Sequence, residues 1–97
     1  MILSKLLSEL RTVHVKPDLK VQFTWDGAES WSASLPGYIV IDPTAKSVTS
    51  TLSIGTTPRE ALERMAAQLR GRTLQIQNST QRPYPVPAGL ELGPVSF

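Results

Sequence analysis

One histidine and a few carboxylates are the residues of this chain that could do acid–base or metal chemistry. His14 stands between Val13 and Val15, and Asp18, Asp26, Glu29 and Asp42 follow it. Two carboxylates held close together can divide into a general acid and a general base. All four acidic residues lie in or beside turn sequences, however, where Asp closes local backbone hydrogen bonds. The chain has no cysteine, so disulfides, thiolate zinc ligation and a cysteine nucleophile are excluded. It contains no phosphate-binding loop, dinucleotide fingerprint, Gly-x-Ser-x-Gly or His-Glu-x-x-His. These residues predict a protein that is not an enzyme, with no catalytic residue, metal or cofactor. A lone histidine without a partner in sequence reads as structural or exposed.

A second set is basic. Arg64, Arg70 and Arg72, with Arg59 and Lys46, could form a rim for a phosphate backbone, and Trp25, Trp31 or Tyr38 could stack on bases. Nucleic-acid or nucleotide binding through Arg70 and Arg72 is therefore one open reading. Three features weigh against it. The net charge is only +2, from ten Lys/Arg against eight Asp/Glu, and the basic residues are dispersed. Glu60–Arg64 and Arg59–Glu63 have i,i+4 spacing, and Arg70 and Arg72 suit the negative end of a helix dipole. Both tryptophans fall on the apolar side of their alternating runs and read as core.

A third set is apolar: Tyr84, Val86, Leu90, Leu92 and Phe97, in a tail that also carries Pro83, Pro85, Pro87 and Pro94. Arg-Pro-Tyr-Pro-Val-Pro cannot be helix or central strand and predicts extended backbone. A disordered tail would hold fewer large apolar side chains. Two placements stay open: an arm laid across a partner or a second copy, and a tail folded back on its own body.

The elements that must position these residues centre on 55–71. Thr57 is an N-cap, Pro58 takes the first helical position, Glu60 completes a capping box and Gly71 can close the helix. Ala61, Leu62, Met65, Ala66 and Leu69 form one apolar stripe. Residues 2–12 predict a second amphipathic helix with Ile2, Leu3, Leu6, Leu7 and Leu10 on one face. Lys20–Trp25 and Trp31–Leu35 alternate and should pair antiparallel around Asp26-Gly27-Ala28-Glu29. Tyr38–Ile41 predicts a third strand. Ser47–Ile54 predicts a fourth, with Val48, Ser50, Leu52 and Ile54 facing inward, and Arg72–Gln77 a fifth, with Leu74 and Ile76 inward. The fold class expected is α+β: an antiparallel four- to five-stranded sheet with one face covered by helices, in the order α-β-β-β-β-α-β, plus a proline-rich extended tail. Residues 1–78 form the compact domain of this reading and 79–97 the arm. No apolar run approaches the ~20 residues that span a bilayer, and Lys5 and Glu9 interrupt the N-terminal run, which does not read as a signal peptide.

The segment Trp31-Ser-Ala-Ser-Leu-Pro-Gly-Tyr38, followed by Ile54-Gly-Thr-Thr-Pro-Arg-Glu-Ala-Leu-Glu-Arg-Met-Ala-Ala-Gln-Leu69, resembles the N-terminal domain of HicB-like antitoxins. The resemblance covers about half the chain and implies a small sheet with a helix on one face and a cytoplasmic, protein-binding habit. It does not carry over DNA binding, because a proline-rich tail replaces that family's C-terminal DNA-binding module. The small, compact chain also looks like a phage or mobile-element accessory protein. Together these features predict a cytoplasmic interaction protein or inhibitor that binds a protein partner or itself as a homo-oligomer, with no membrane partner. Its candidate binding residues are Arg64, Arg70, Arg72, Tyr84, Val86, Leu90, Leu92 and Phe97.

Overall fold

The structure, a computed structural model, describes residues 1–27 and 29–94. It is α+β, with helices α1 (Leu3–Val13) and α2 (Pro58–Leu69) and strands β1 (Gln22–Trp25), β2 (Trp31–Ser34), β3 (Tyr38–Asp42), β4 (Ser47–Ser50), β5 (Ser53–Gly55), β6 (Thr73–Ile76) and β7 (Tyr84–Pro85). The strands form two antiparallel sheets, β1-β2-β5 and β4-β3-β6-β7, rather than one.

The register explains the division. Ala33 pairs with Ser53, and Ile39 pairs with Ser50. Six residues along one strand therefore face three along the other, so one long two-stranded ribbon cannot stay in a single plane. It bends where Leu35-Pro36-Gly37-Tyr38 turns. Tyr38 N–H donates to the Leu35 carbonyl at 3.2 Å, and Gly37 has φ +81°, the left-handed third position of a Pro-Gly type II turn.

Helix α2 forms as its caps predict. The Glu60 amide donates to Thr57 Oγ1 at 3.0 Å, and Ala61, Leu62, Met65, Ala66 and Leu69 are all buried. From α1, Leu3, Leu6 and Leu10 enter the same core, with Ala33, Leu35, Tyr38, Val40 and Leu74 from the sheets. Ile2, assigned to the inward face of that helix, is 39% exposed at its N-cap.

The tail, as far as it is described, folds back. β7 pairs with β6, the Val86 amide donates to the Arg72 carbonyl at 2.8 Å, the Leu3 amide donates to the Glu91 carbonyl at 2.8 Å, and the Glu91 amide donates to the Met1 carbonyl at 2.9 Å. Val86 and Leu90 are buried in the common core. With prolines flanking Tyr84, the segment can pair only as an edge strand, which is its position.

Candidate interaction surface

The surface is built on residues 47–55, which run from the second sheet into the first as β4 and β5. The face that points outward here is the reverse of the one expected. Thr51 is buried and Gly55 is buried, while Val48, Leu52 and Ile54 are 60%, 51% and 54% exposed. Two contacts set this. A Cβ on Gly55 would lie 2.5 Å from the Ala61 amide nitrogen, so position 55 must face the start of α2. Thr51 Oγ1 accepts from the Leu35 amide at 2.8 Å and donates to the Leu35 carbonyl at 3.2 Å, satisfying both groups at the bend. Side chains alternate along a strand, so fixing 51 and 55 inward turns 48, 50, 52 and 54 outward. A glycine directly before a capped helix was the sequence signal for this; hydrophobic alternation alone pointed the other way.

The polar flank of α2 holds the ribbon. Glu60 accepts from Thr56 N–H at 3.3 Å and Oγ1 at 3.2 Å. Arg64 Nη1 donates to the Ile54 carbonyl at 2.7 Å. Gln68 Oε1 accepts from Ser53 Oγ at 3.0 Å, and its Nε2 donates to Thr49 Oγ1 at 3.1 Å and to the Ser50 carbonyl at 2.6 Å. Arg72 Nε lies 3.4 Å from Asp42 Oδ2, and its Nη1 donates to the Gln68 carbonyl at 2.6 Å. A polar cleft of about 390 Å³ opens between Ser47, Thr49, Gln68 and Arg72 on the inner side of β4. Outside, Ile39 and Ile41 are half-buried beside Val48. Ile41 lies opposite Val48, and Leu52 and Ile54 are exposed farther along the ribbon, with the Arg64 guanidinium beside Ile54.

Removing the Thr51 hydroxyl tests the inward anchor. Thr51→Val would leave the Leu35 amide buried without a partner, and should cost about 1–3 kcal/mol in urea unfolding. Thr51→Ser should keep most of the stability.

The expected site residues do not converge. Arg64 is paired with Glu60 at 3.1 Å and with β5. Arg70 Nε donates to the Leu90 carbonyl at 2.6 Å, securing the tail, and Arg72 meets Asp42. Tyr84 donates its hydroxyl to the Glu9 carboxylate; burial first, then that carboxylate, push its pKa up to about 12. Val86 and Leu90 belong to the core, and Leu92 packs against it; folded, the first two offer no side chain to a partner. Phe97 lies outside the described residues, as does Ala28 of the hairpin loop. Trp25, read as core, is 48% exposed. It sits on the open edge of its sheet against Trp31, ring centroids 5.3 Å apart, so only Trp31 reaches the core.

The Asp42 pKa is lowered from its ordinary carboxylate value. The Ala45 and Thr44 amides donate to Oδ1 at 3.2 and 2.9 Å, desolvation opposes them, and the Arg72 guanidinium adds a smaller lowering. A lowered native pKa stabilises above the unfolded value and is lost as pH falls through the native one. The stability advantage of wild type over Asp42→Asn should thus be full above about pH 4 and shrink below it, read as urea midpoints.

His14 is 2% exposed, with both ring nitrogens within hydrogen-bond distance of partners. The Arg82 carbonyl, 2.7 Å from Nε2, can only accept, so Nε2 carries the proton. Nδ1 lies 2.7 Å from the Tyr38 hydroxyl, which can serve it as donor or acceptor. Burial raises the Tyr38 pKa. Among the described residues no group of three His, Cys, Asp or Glu could hold a metal ion, and no helix is long and apolar enough to cross a membrane.

Two further hollows flank Val21 and Phe23. An open groove of about 690 Å³ is lined by Lys16–Phe23 and Pro36, and an apolar hollow of about 260 Å³ lies between α1, β1, α2 and Leu92. The larger groove carries Lys16, Asp18 and Lys20 at its wall, and the smaller one is lined by apolar side chains and Ser4. No family model, curated protein or solved structure matches the chain.

Proposed function

We propose that this protein is a binding module without catalytic chemistry that docks a protein partner, or its own copy, through the β4–β5 ribbon. The observation that carries the reading is the row of exposed Val48, Leu52 and Ile54. An apolar row of this kind on a small domain marks an association surface, and two polar side chains of α2, Arg64 and Gln68, bond the ribbon directly. The resemblance to HicB-like antitoxins points to the same habit of protein binding. The arginines support a protein over a polynucleotide. Arg11, Arg59, Arg64, Arg70 and Arg72 each meet a carbonyl or a carboxylate of the chain itself, which leaves few guanidiniums for phosphates.

A photo-reactive residue in place of Leu52, compared with one in place of exposed Lys5 on α1, tests the reading in the source cell. Protein adducts from position 52 and not from position 5 are expected. No adduct at 52, equal adducts at both, or a polynucleotide adduct would overturn it.

A further inference from the structure

We propose that β4 pairs antiparallel with β4 of a second copy, around a two-fold axis at Val48. The proposal rests on the docking role of the β4–β5 ribbon and names its partner. Among the described residues, β4 is the open end of the β4-β3-β6-β7 sheet. All four of its residues are exposed. Natural sheet edges are blunted by proline, by charge, or by a covering element. The opposite end of this sheet is the two-residue β7 with Pro85. In the other sheet, β5 is covered by α2 and Arg64, and Lys20 and Asp26 flank β1. Ser47-Val48-Thr49-Ser50 holds no proline or charge; Lys46 flanks its start and Gln68 of α2 caps the Ser50 carbonyl, and between them Val48 is left open.

The hydrogen-bond pattern selects the register. Gln68 Nε2 takes the Ser50 carbonyl at 2.6 Å, so that carbonyl points off the sheet, away from β3. In an antiparallel ladder, alternate residues direct both backbone groups to the same side. Val48, two residues earlier, therefore also points its N–H and C=O off the edge. No bond from outside the ladder reaches them among the described residues. Two copies of Val48 facing each other across a two-fold axis exchange both bonds, and the Gln68 contact is left intact.

Both faces of such a pair match. Outside, Val48 meets its own copy, which joins the Ile41–Val48 rows of the two chains. Inside, Ser47 opposes Thr49 of the second copy and Thr49 opposes its Ser47, a pairing of hydroxyls that favours sheets. Residues 47–50 bring no charge of either sign to the contact, and an isologous interface requires this self-compatibility. Only about three residues per chain pair, so the dimer should be weak and concentration-dependent.

The absence of native cysteine makes the register testable. In Val48→Cys, two opposed Cα atoms would lie ~5.5 Å apart, inside the ~4.4–6.8 Å of a disulfide. In Thr49→Cys, each Cys is offset by two residues from its copy, about 8 Å away and beyond reach. Mild oxidation of the folded full chain should crosslink Val48→Cys at least tenfold faster than Thr49→Cys or Ile54→Cys. Sedimentation of the wild type should show mass rising toward a dimer between roughly 10 and 500 µM, the affinity range of small interfaces. Val48→Pro, which removes an N–H the β3 ladder does not use, should raise the dissociation constant at least tenfold. Val48→Lys is the second variant if the proline form fails to fold. A wild type that stays monomeric, or crosslinking as fast at 49 or 54 as at 48, would overturn the pairing. If position 52 then still gives adducts with a different protein, only the self-pairing falls and the docking reading stands.

Discussion

Gly55→Ala should destabilise the protein by about 3 kcal/mol, at the upper end of overpacking costs, and Gly55→Val should prevent stable folding. The added Cβ would meet the Ala61 nitrogen at 2.5 Å and Glu60 backbone and Cβ atoms at 2.9 Å. Those atoms belong to the first turn of α2, which Thr57 and Glu60 cap on both sides, so they cannot retreat without opening the cap. Gly55 has no positive φ, so the effect is purely steric. Gly71 is the contrast: its φ is +71° and nothing lies within 4 Å of an added Cβ. Gly71→Ala should cost only the left-handed backbone penalty, about 1–2 kcal/mol. Urea unfolding with an unchanged slope measures both. A Gly55→Ala protein as stable as wild type would mean that β5 does not lie against the helix start.

Leu90→Ala should cost about 2–5 kcal/mol, although Leu90 lies in what the sequence presents as an arm. Its side chain is 1% exposed, and its carbonyl is held by Arg70. Leu52→Ala, the same chemical change on a half-exposed side chain, should stay within about 0.5 kcal/mol. A chain ending at Asn78 would lose Val86 and Leu90 from the core and the strand beside β6, and should not give a cooperative melt. Equal stabilities for Leu90→Ala and Leu52→Ala would contradict the folded-back tail.

The parts of this fold that were legible in the sequence are those whose signal is local. Thr57, Pro58 and Glu60 announced α2, and its five-residue stripe is the stripe that is buried. The Asp26-Gly27 turn and the alternation around it gave the β1–β2 pair, with Phe23 opposite Ala33. What stayed hidden depends on contacts between distant residues. The bend that splits the sheet arises from three extra residues around Pro36-Gly37 on one side of a ribbon, and becomes visible only once the register is known. The inward parity of 49, 51, 53 and 55 is decided by the approach of α2 to Gly55, which outweighs the apolar preference of Val48, Leu52 and Ile54. His14 found its partners in Tyr38 and Arg82, 24 and 68 residues away. The same parity hid the candidate surface: residues expected to fill the core are the ones on display, while Val86 and Leu90, expected to reach a partner, are in the core.

That parity is the claim on which the docking role depends, and thiol labelling measures it directly in a chain without native cysteine. Single cysteines at 51, 52, 53 and 54 would be challenged with a soluble maleimide under native conditions at low protein concentration. Fast labelling at 52 and 54, with 51 and 53 slowed at least tenfold, is the predicted result. Fast labelling at 51 and 53 with protection at 52 and 54 would put the apolar row in the core and leave the ribbon with nothing to offer a partner.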